Sequence, residues 1–221
     1  MKYYVTSDTH FNHDMLIELG YREIGFGGVI LDAIQKVSGD VLLHLGDFSI
    51  GDDEYYHEQF MLASKNFKKK ILVRGNHDNK SYSWYYTHGW DFVCETMRLR
   101  VFGKEILFSH IPIIAENVET PPYLKVDMNL HGHLHGRGKY SHRAIEGYDA
   151  GFHYDCGVDA NNFAPISLED IIRRTELSVF TARSVSPAMT CNQCDCRFRP
   201  IEGNLCPCEC HLCTGDHSTK G

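Results

Sequence analysis

The sequence predicts an α/β domain followed by a short cysteine-rich module, and three observations carry that reading. Up to about residue 90, short apolar runs alternate with helical patterns, the grammar of right-handed crossovers between parallel strands; beyond it, closely spaced strands take over. Five apolar runs end in metal-ligating side chains: Asp8-Thr9-His10, Gly46-Asp47, Gly75-Asn76-His77-Asp78, His110, and His133-Leu134-His135. Polar groups at the end of a buried strand sit where α/β folds place their chemistry, outside the carboxyl edge of the sheet. Finally, seven of the 9 cysteines fall between Cys191 and Cys213, which marks the C-terminal segment as a different kind of structure.

Taken in order, the run from Tyr3 reads as a first strand ending in Asp8-Thr9-His10, and Asn12 or His13 then caps a helix around Met15 to Leu19. A glycine-rich turn at Gly25 to Gly28 precedes a helix from about Val29 to Val37, where Ile30, Ala33, Ile34 and Val37 share a helical face. Ser38-Gly39-Asp40 turns into the strand ending at Asp47, and residues 53–66 read as an amphipathic helix. The lysine run before Ile71 reads as a solvated turn rather than a binding patch. Ile71-Leu72-Val73 is a buried strand broken by Gly75. Strands follow at Phe92 to Cys94, Met97 to Phe102 and Glu105 to Ser109, with Gly103-Lys104 as the hairpin turn. Met128 to His131 and Phe152 to Val158 are two more strands, and Leu168 to Arg173 is a last short helix. Pro121-Pro122 interrupts the segment between two ligand-bearing blocks, so 111–127 is expected to loop over the site.

At 221 residues the chain holds one substantial domain plus an appendage. Hydrophobic residues at 43% and charged residues at 23% describe an ordinary globular composition. A net charge of −7 argues against a nucleic-acid coat or a binder of anionic membranes. It leaves phosphate substrates open, because bound divalent ions become the largest local charges in such a site. No apolar leader run follows Lys2, and no stretch approaches the roughly 18 apolar residues of a membrane span. The expectation is a cytoplasmic protein with no membrane partner.

The five ligand-bearing blocks, in this order, resemble the calcineurin-like metallophosphoesterase superfamily over about residues 1–175. That resemblance implies a two-sheet β-sandwich flanked by helices, and a site for two metal ions. It implies that Asp8, His10, Asp47 and His135 hold one ion and Asp47, Asn76, His110 and His133 the other. Asp47 would bridge them, since one carboxylate has two oxygens, and His77 would stay off the metals near the leaving oxygen. Serine/threonine protein phosphatases are less similar: Phe48-Ser49-Ile50-Gly51 follows Gly46-Asp47 where they carry Asp and Arg, and Asp78 stands where they carry a glutamate. The small single-domain phosphodiesterases look closer, through the opening Asp8-Thr9-His10-Phe11-Asn12-His13 and the late segment from Val158 to Leu168.

Phosphoester hydrolysis needs a nucleophile, charge neutralisation and a proton for the leaving oxygen. Two metal ions about 3.5–4 Å apart supply the first two. Imidazole, carboxylate and amide ligands without cysteine suit borderline divalent ions, with manganese the first choice and iron, nickel and zinc behind it. His77 is the candidate general acid, or else a hydrogen-bond donor to the transition state; Asp78 either orients it or braces the turn. His13 and Arg74 are candidate substrate contacts, against a surface histidine at a helix end and a structural ion pair respectively. His44 and His131 alternate away from the ligands and read as packing or supporting residues.

The expected divisions are a metallophosphoesterase domain over 1–175, a linker over 176–190 and a cysteine-rich tail over 191–221. Cys191-x-x-Cys194 and Cys210-x-x-Cys213 match zinc-ribbon spacing, with Cys196, Cys206, Cys208 and His211 left over. So short a segment has too little core to fold without a staple; the alternative is an unmetallated tail of redox-labile cysteines. Substrate delivery, dimerisation, or docking of a partner protein or nucleic acid are the roles open to it. For the whole chain the leading function is metal-dependent hydrolysis of phosphate esters, chiefly phosphodiesters such as those of nucleotides. A nuclease using the tail as its grip is one rival, and a non-catalytic protein-binding scaffold on the same fold is the other.

Overall fold

A computed structural model describes residues 1–113, 126–135 and 152–175. The expected linker and cysteine-rich module, and most of the expected loop over 111–127, lie outside them. The elements run β1 (Tyr3–Thr6), α1 (Asp14–Glu18), α2 (Phe26–Gln35), β2 (Gly39–His44), α3 (Asp53–Ala63), β3 (Phe67–Val73) and α4 (Tyr82–Thr87). They continue with β4 (Phe92–Cys94), β5 (Thr96–Val101), β6 (Lys104–Ser109), β7 (Met128–His131), β8 (Phe152–Asp155) and β9 (Ile166–Ser167). A final helix, α5, covers 168–175.

The strands form two sheets, a five-stranded one ordered β4-β3-β2-β1-β9 and a four-stranded one ordered β5-β6-β7-β8. In the first, β1 to β4 are mutually parallel, and β9 closes the edge antiparallel to β1. The second joins the antiparallel hairpin β5–β6 to two parallel pairings, β6 with β7 and β7 with β8. The mixed α/β two-sheet architecture is the one expected.

Strand alternation divides the first sheet into two faces, because successive side chains point opposite ways. Val5, Val41, Leu43 and Val73 pack with Ile106, Phe108, Leu130 and Tyr154 in the core between the sheets. Leu42, Leu72 and Val93 face the other way, onto Ile30 and Ile34 of α2, Phe60 of α3 and Tyr85 of α4. Leu168, Ile171 and Ile172 place α5 against the inter-sheet core.

Several details depart from expectation. The lysine run Lys68 to Lys70 lies within strand β3 rather than in a turn. Helix α2 begins at Phe26, ahead of Gly27 and Gly28, because burying Phe26 with Ile30 and Ile34 outweighs the helix-breaking cost of glycine. The β5–β6 turn is Phe102-Gly103 rather than Gly103-Lys104: both have positive φ (50° and 76°), as a two-residue hairpin matching strand twist requires. Helix α4 was not expected, since Tyr-Ser-Trp-Tyr-Tyr-Thr is poor in helix formers; the Ser81 hydroxyl caps it by accepting from Trp84 N–H at 3.2 Å. Strand β8 ends at Asp155 instead of running to Val158, where a 3₁₀ turn (Val158–Ala160) begins. Among the described residues, no helix is long and apolar enough to cross a membrane.

Candidate metal centre

The loops after β1, β2, β3, β6 and β7 carry all the expected ligands, each just past the carboxyl end of a parallel strand. Backbone hydrogen bonds stitch these loops together: Asp8 N–H to the Gly46 carbonyl (2.9 Å), His10 N–H to the Asp47 carbonyl (3.0 Å), and Gly132 N–H to the His110 carbonyl (2.9 Å). His133 N–H donates to both Asp8 carboxylate oxygens at 3.0 Å. Two glycines permit this closeness. A Cβ on Gly132 would run into Ser7 Oγ and Asp8 Oδ2, and one on Gly75 into Asp47 Oδ1.

Two ligand groups result, Asp8/His10/His135 and Asp47/His110/His133, each with its donor atoms within 4.8 Å of one another. Asp47 links them: its Oδ2 lies 3.4 Å from His10 Nε2 and 3.3 Å from His110 Nε2. Asn76 joins the second group, with Oδ1 3.1 Å from His110 Nε2. His133 Nδ1 also faces His110 Nε2, at 3.2 Å. The two ring nitrogens of His10, a residue only 2% exposed, have no hydrogen-bond partner. A buried imidazole left unpaired is costly unless something else binds its lone pair, and a metal ion does. Oxygen and nitrogen donors without thiolate fit a borderline divalent cation.

The backbone carries the same signature. Asp8, His10, Asp47, His133 and His135 all have positive φ, between 44° and 71°. For residues other than glycine such conformations cost about 1–3 kcal/mol each and persist where the surroundings over-determine them, typically at functional sites.

The buried carboxyl groups and imidazoles shift one another's proton affinities. Burial pushes the Asp8 carboxyl up to about 7, although His110 and His135 pull it down. Burial also works to raise Asp47, but His110, the His77 N–H and His10 together hold it well below the usual carboxylate range. Burial works to lower His110, and Asp47 and Asp8 outweigh it, lifting the imidazole to about 9. His10, with burial dominant, is pushed down to about 2. The buried Asp47 and Asp8 carboxyl groups thus favour positive charge at this centre, which suits a divalent cation.

His77 stands beside this centre and does not enter either ligand group. Its N–H donates to Asp47 Oδ1 at 3.0 Å, and its ring Nε2 lies 3.9 Å from Asp47 Oδ2. The ring is 5.3 Å from that of His10, and its side chain is 43% exposed. His13 is near, its ring 5.2 Å from His10 and 6.4 Å from His77.

Asp78, paired with His77 in the sequence reading as a catalytic candidate, resolves to the brace. Its oxygens accept from the N–H groups of Asp47 (2.9 Å), Phe48 (3.0 Å) and Gly75 (2.8 Å), which pins the β2 loop to the β3 loop. Arg74 is hydrogen-bonded to Asp78 and Glu95. It donates to the Asp78 carbonyl through Nε (3.0 Å) and Nη2 (2.6 Å), and to Glu95 Oε1 through Nη1 (2.8 Å). His44 supports the β1 loop: Thr9 Oγ1 donates to the Phe48 carbonyl (2.8 Å) and so accepts from His44 Nε2 (2.9 Å). His131 Nδ1 lies 2.9 Å from the Gly132 carbonyl. Cys191, Cys194, Cys210 and Cys213 lie outside the described residues.

Two residues escaped the sequence reading. Asp159, in the 3₁₀ turn, lies 2.9 Å from His135 Nδ1, which turns His135 Nε2 toward Asp8 Oδ1 at 3.8 Å. Arg22 is buried against Asp159. Asp159 falls within the Val158 to Leu168 segment already noted, whereas nothing near Arg22 in the sequence signals its role.

A model of the calcineurin-like phosphoesterase superfamily domain matches residues 1–147. Among solved structures, a protein of unknown function from Aquifex aeolicus is 30% identical, with a TM-score of 0.59, over 78% of this chain and 98% of that one. An archaeal phosphodiesterase is 15% identical, with a TM-score of 0.42, over 76% of this chain and 99% of its own. Vps29 from Entamoeba histolytica, solved with zinc, is 18% identical, with a TM-score of 0.42, over 71% of this chain and 74% of that one. No curated protein sequence matches the chain.

Proposed function

Since the chain belongs to the calcineurin-like phosphoesterase superfamily, we propose that it is a dinuclear metal-dependent phosphodiesterase. The observation that carries this reading is the placement of Asp47 Oδ2 between His10 Nε2 (3.4 Å) and His110 Nε2 (3.3 Å), where one carboxylate serves both ligand groups. Asp8, His10 and His135 would hold one ion and Asn76, His110 and His133 the other, with manganese first among the borderline metals. Bound, the pair supplies charge neutralisation at phosphoryl oxygens and an activated water.

The chain's own residues do the rest. His77, half-open to solvent and tethered through its N–H to Asp47, holds the proton at Nε2 that the leaving ester oxygen takes up. His13, with Nδ1 unpartnered, offers a further hydrogen bond on the same side of His10. Among the described residues, Arg22 is paired with Asp159 and Arg74 with Glu95.

The test is a substrate panel on manganese-loaded protein: bis(p-nitrophenyl) phosphate, p-nitrophenyl phosphate, cyclic nucleotides, and single- and double-stranded nucleic acids. The diester should show the higher kcat/KM of the two aryl esters, and a tenfold preference for the monoester would replace this reading with a phosphatase. Cleavage confined to nucleic acids, with steep salt dependence, would favour the nuclease. Metal binding without any turnover would leave the scaffold.

A further inference from the structure

We propose that Arg22 and Asp159 form a positioning brace for one half of the metal centre, the Asp8/His10/His135 half; this rests on the two-metal reading above. Arg22 is 5% exposed, and its guanidinium lies over the Phe26 ring at 4.8 Å. One edge of the fork grips Asp159, Nε to Oδ1 at 2.9 Å and Nη2 to Oδ2 at 2.7 Å. The other edge donates to backbone carbonyls of the ligand loop, Nη1 to Thr9 O at 2.7 Å and Nη2 to Asp8 O at 2.6 Å. Asp159 Oδ2 in turn accepts from His135 Nδ1 at 2.9 Å.

This single network reaches all three ligands of the half-site. It ties down the Asp8 and Thr9 carbonyls that flank the strained backbone at Asp8 (φ 56°) and His10 (φ 44°). It also fixes the third, His135 (φ 51°), in the tautomer whose Nε2 lone pair faces Asp8. Only a planar, five-donor cation spans a carboxylate on one side and two carbonyls on the other; a lysine ammonium does not. The Asp47/His110/His133 half is braced by different groups. Asp78 holds the Asp47 N–H, and the Leu45 carbonyl accepts from His110 Nδ1 at 2.8 Å. Among the described contacts, none joins Asp78 or the Leu45 carbonyl to Arg22 or Asp159 directly; Thr9 and Phe48 stand between the two braces, and the His133 N–H on Asp8 links the two halves.

The consequence is selective. Asp159→Asn keeps the size of the side chain but cannot fully serve both the Arg22 fork and the His135 N–H. Asp159→Ala removes both bonds. Each should weaken one manganese site by roughly 10–100-fold, alanine more than asparagine, and the other by clearly less, since Arg22 and Asp159 touch no ligand of that half directly. Arg22→Lys should follow the alanine variant. The measurement is a titration of metal-stripped full-length protein with Mn²⁺, followed by electron paramagnetic resonance. At two equivalents the unmodified chain should show the exchange-coupled signal of a manganese pair, and the Asp159 variants the signal of a lone ion plus free Mn²⁺. The retained site certifies that a variant is folded, and if alanine abolishes all binding, asparagine decides by the same criterion. Unchanged affinity at both sites would overturn the brace, and so would equal weakening of both, which marks a merely structural contact. If the unmodified chain shows no coupled pair, the two-metal reading falls first and the brace with it.

Discussion

Stripping the metals and raising the pH from 6.5 to 9 should destabilise the domain by about 3 kcal/mol. In the metal-free centre His110 is lifted to about 9: burial opposes this, but Asp47 and Asp8 prevail. An unfolded histidine titrates near 6.5. Over the interval between those values the folded chain holds a proton that the unfolded chain has lost. The stabilisation is complete below about 6.5 and disappears as pH rises through about 9. The two values lie about 2.5 pH units apart, but each state is only half titrated at its own pKa, so about 2 units fall inside the window; at about 1.4 kcal/mol per unit this gives the figure above. Asp8, pushed up to about 7 by burial, acts in the same direction but has spent most of its effect below that pH. His44 and His57, pushed down by burial to about 3 and about 4, cost stability only as pH falls below about 6.5, so they are silent in this window. For a domain of this size the melting temperature should drop by about 6–12 °C. Differential scanning fluorimetry of chelator-dialysed protein at half-unit pH steps reads it directly. His110→Gln should flatten the slope, and with manganese present the trend should reverse, because metal binding displaces the proton and gains affinity with pH. A stripped protein whose melting temperature is flat or rising from pH 6.5 to 9 would refute the electrostatic account, as would an equally steep fall in His110→Gln.

Four further outcomes are expected. His77→Ala should keep both ions by elemental analysis and lose about 10²–10⁴-fold in turnover, since it removes a proton donor and no ligand; a metal-free variant would show that His77 is a ligand. Asp47→Asn should weaken both metal sites and abolish hydrolysis, and a fully loaded, active variant would contradict its shared position. Gly132→Ala should disrupt the metal centre, because the added Cβ meets Ser7 and Asp8 side chains; unaltered manganese binding would show that the two loops have room to separate. Deleting residues 184–221 should leave turnover of a small aryl diester within a few-fold and remove at least one zinc per chain by native mass spectrometry. Unchanged zinc would dismiss the ribbon, and collapse of turnover would mean that the tail completes the site.

The candidate ligand residues were legible because each follows a short buried strand closely, so the local pattern carries both element and chemistry. Asn76 and His77 after Ile71-Leu72-Val73 need nothing from the rest of the chain to be noticed. Strand β9 was not legible: two residues become a strand only by pairing with β1. Helix α4 was missed for the converse reason, since its formation rests on burial of Tyr85 and a serine cap rather than on helix propensity. Arg22 and Asp159 stand 137 positions apart, and only the folded chain brings them together. Nor does sequence foretell positive φ at Asp8, His10, Asp47, His133 and His135, because aspartate and histidine adopt it only where tertiary contacts hold them there. Asp78 shows the limit of adjacency: the neighbour of His77 in the chain turns to the backbone of Asp47, Phe48 and Gly75.

The central claim, that Asp47 joins two metal sites into one centre, meets its most direct test in anomalous diffraction from a manganese-soaked crystal at the manganese edge. Two peaks should flank the Asp47 carboxylate, one against Asp8, His10 and His135, the other against Asn76, His110 and His133. A single peak, or two peaks that do not share Asp47, would contradict it.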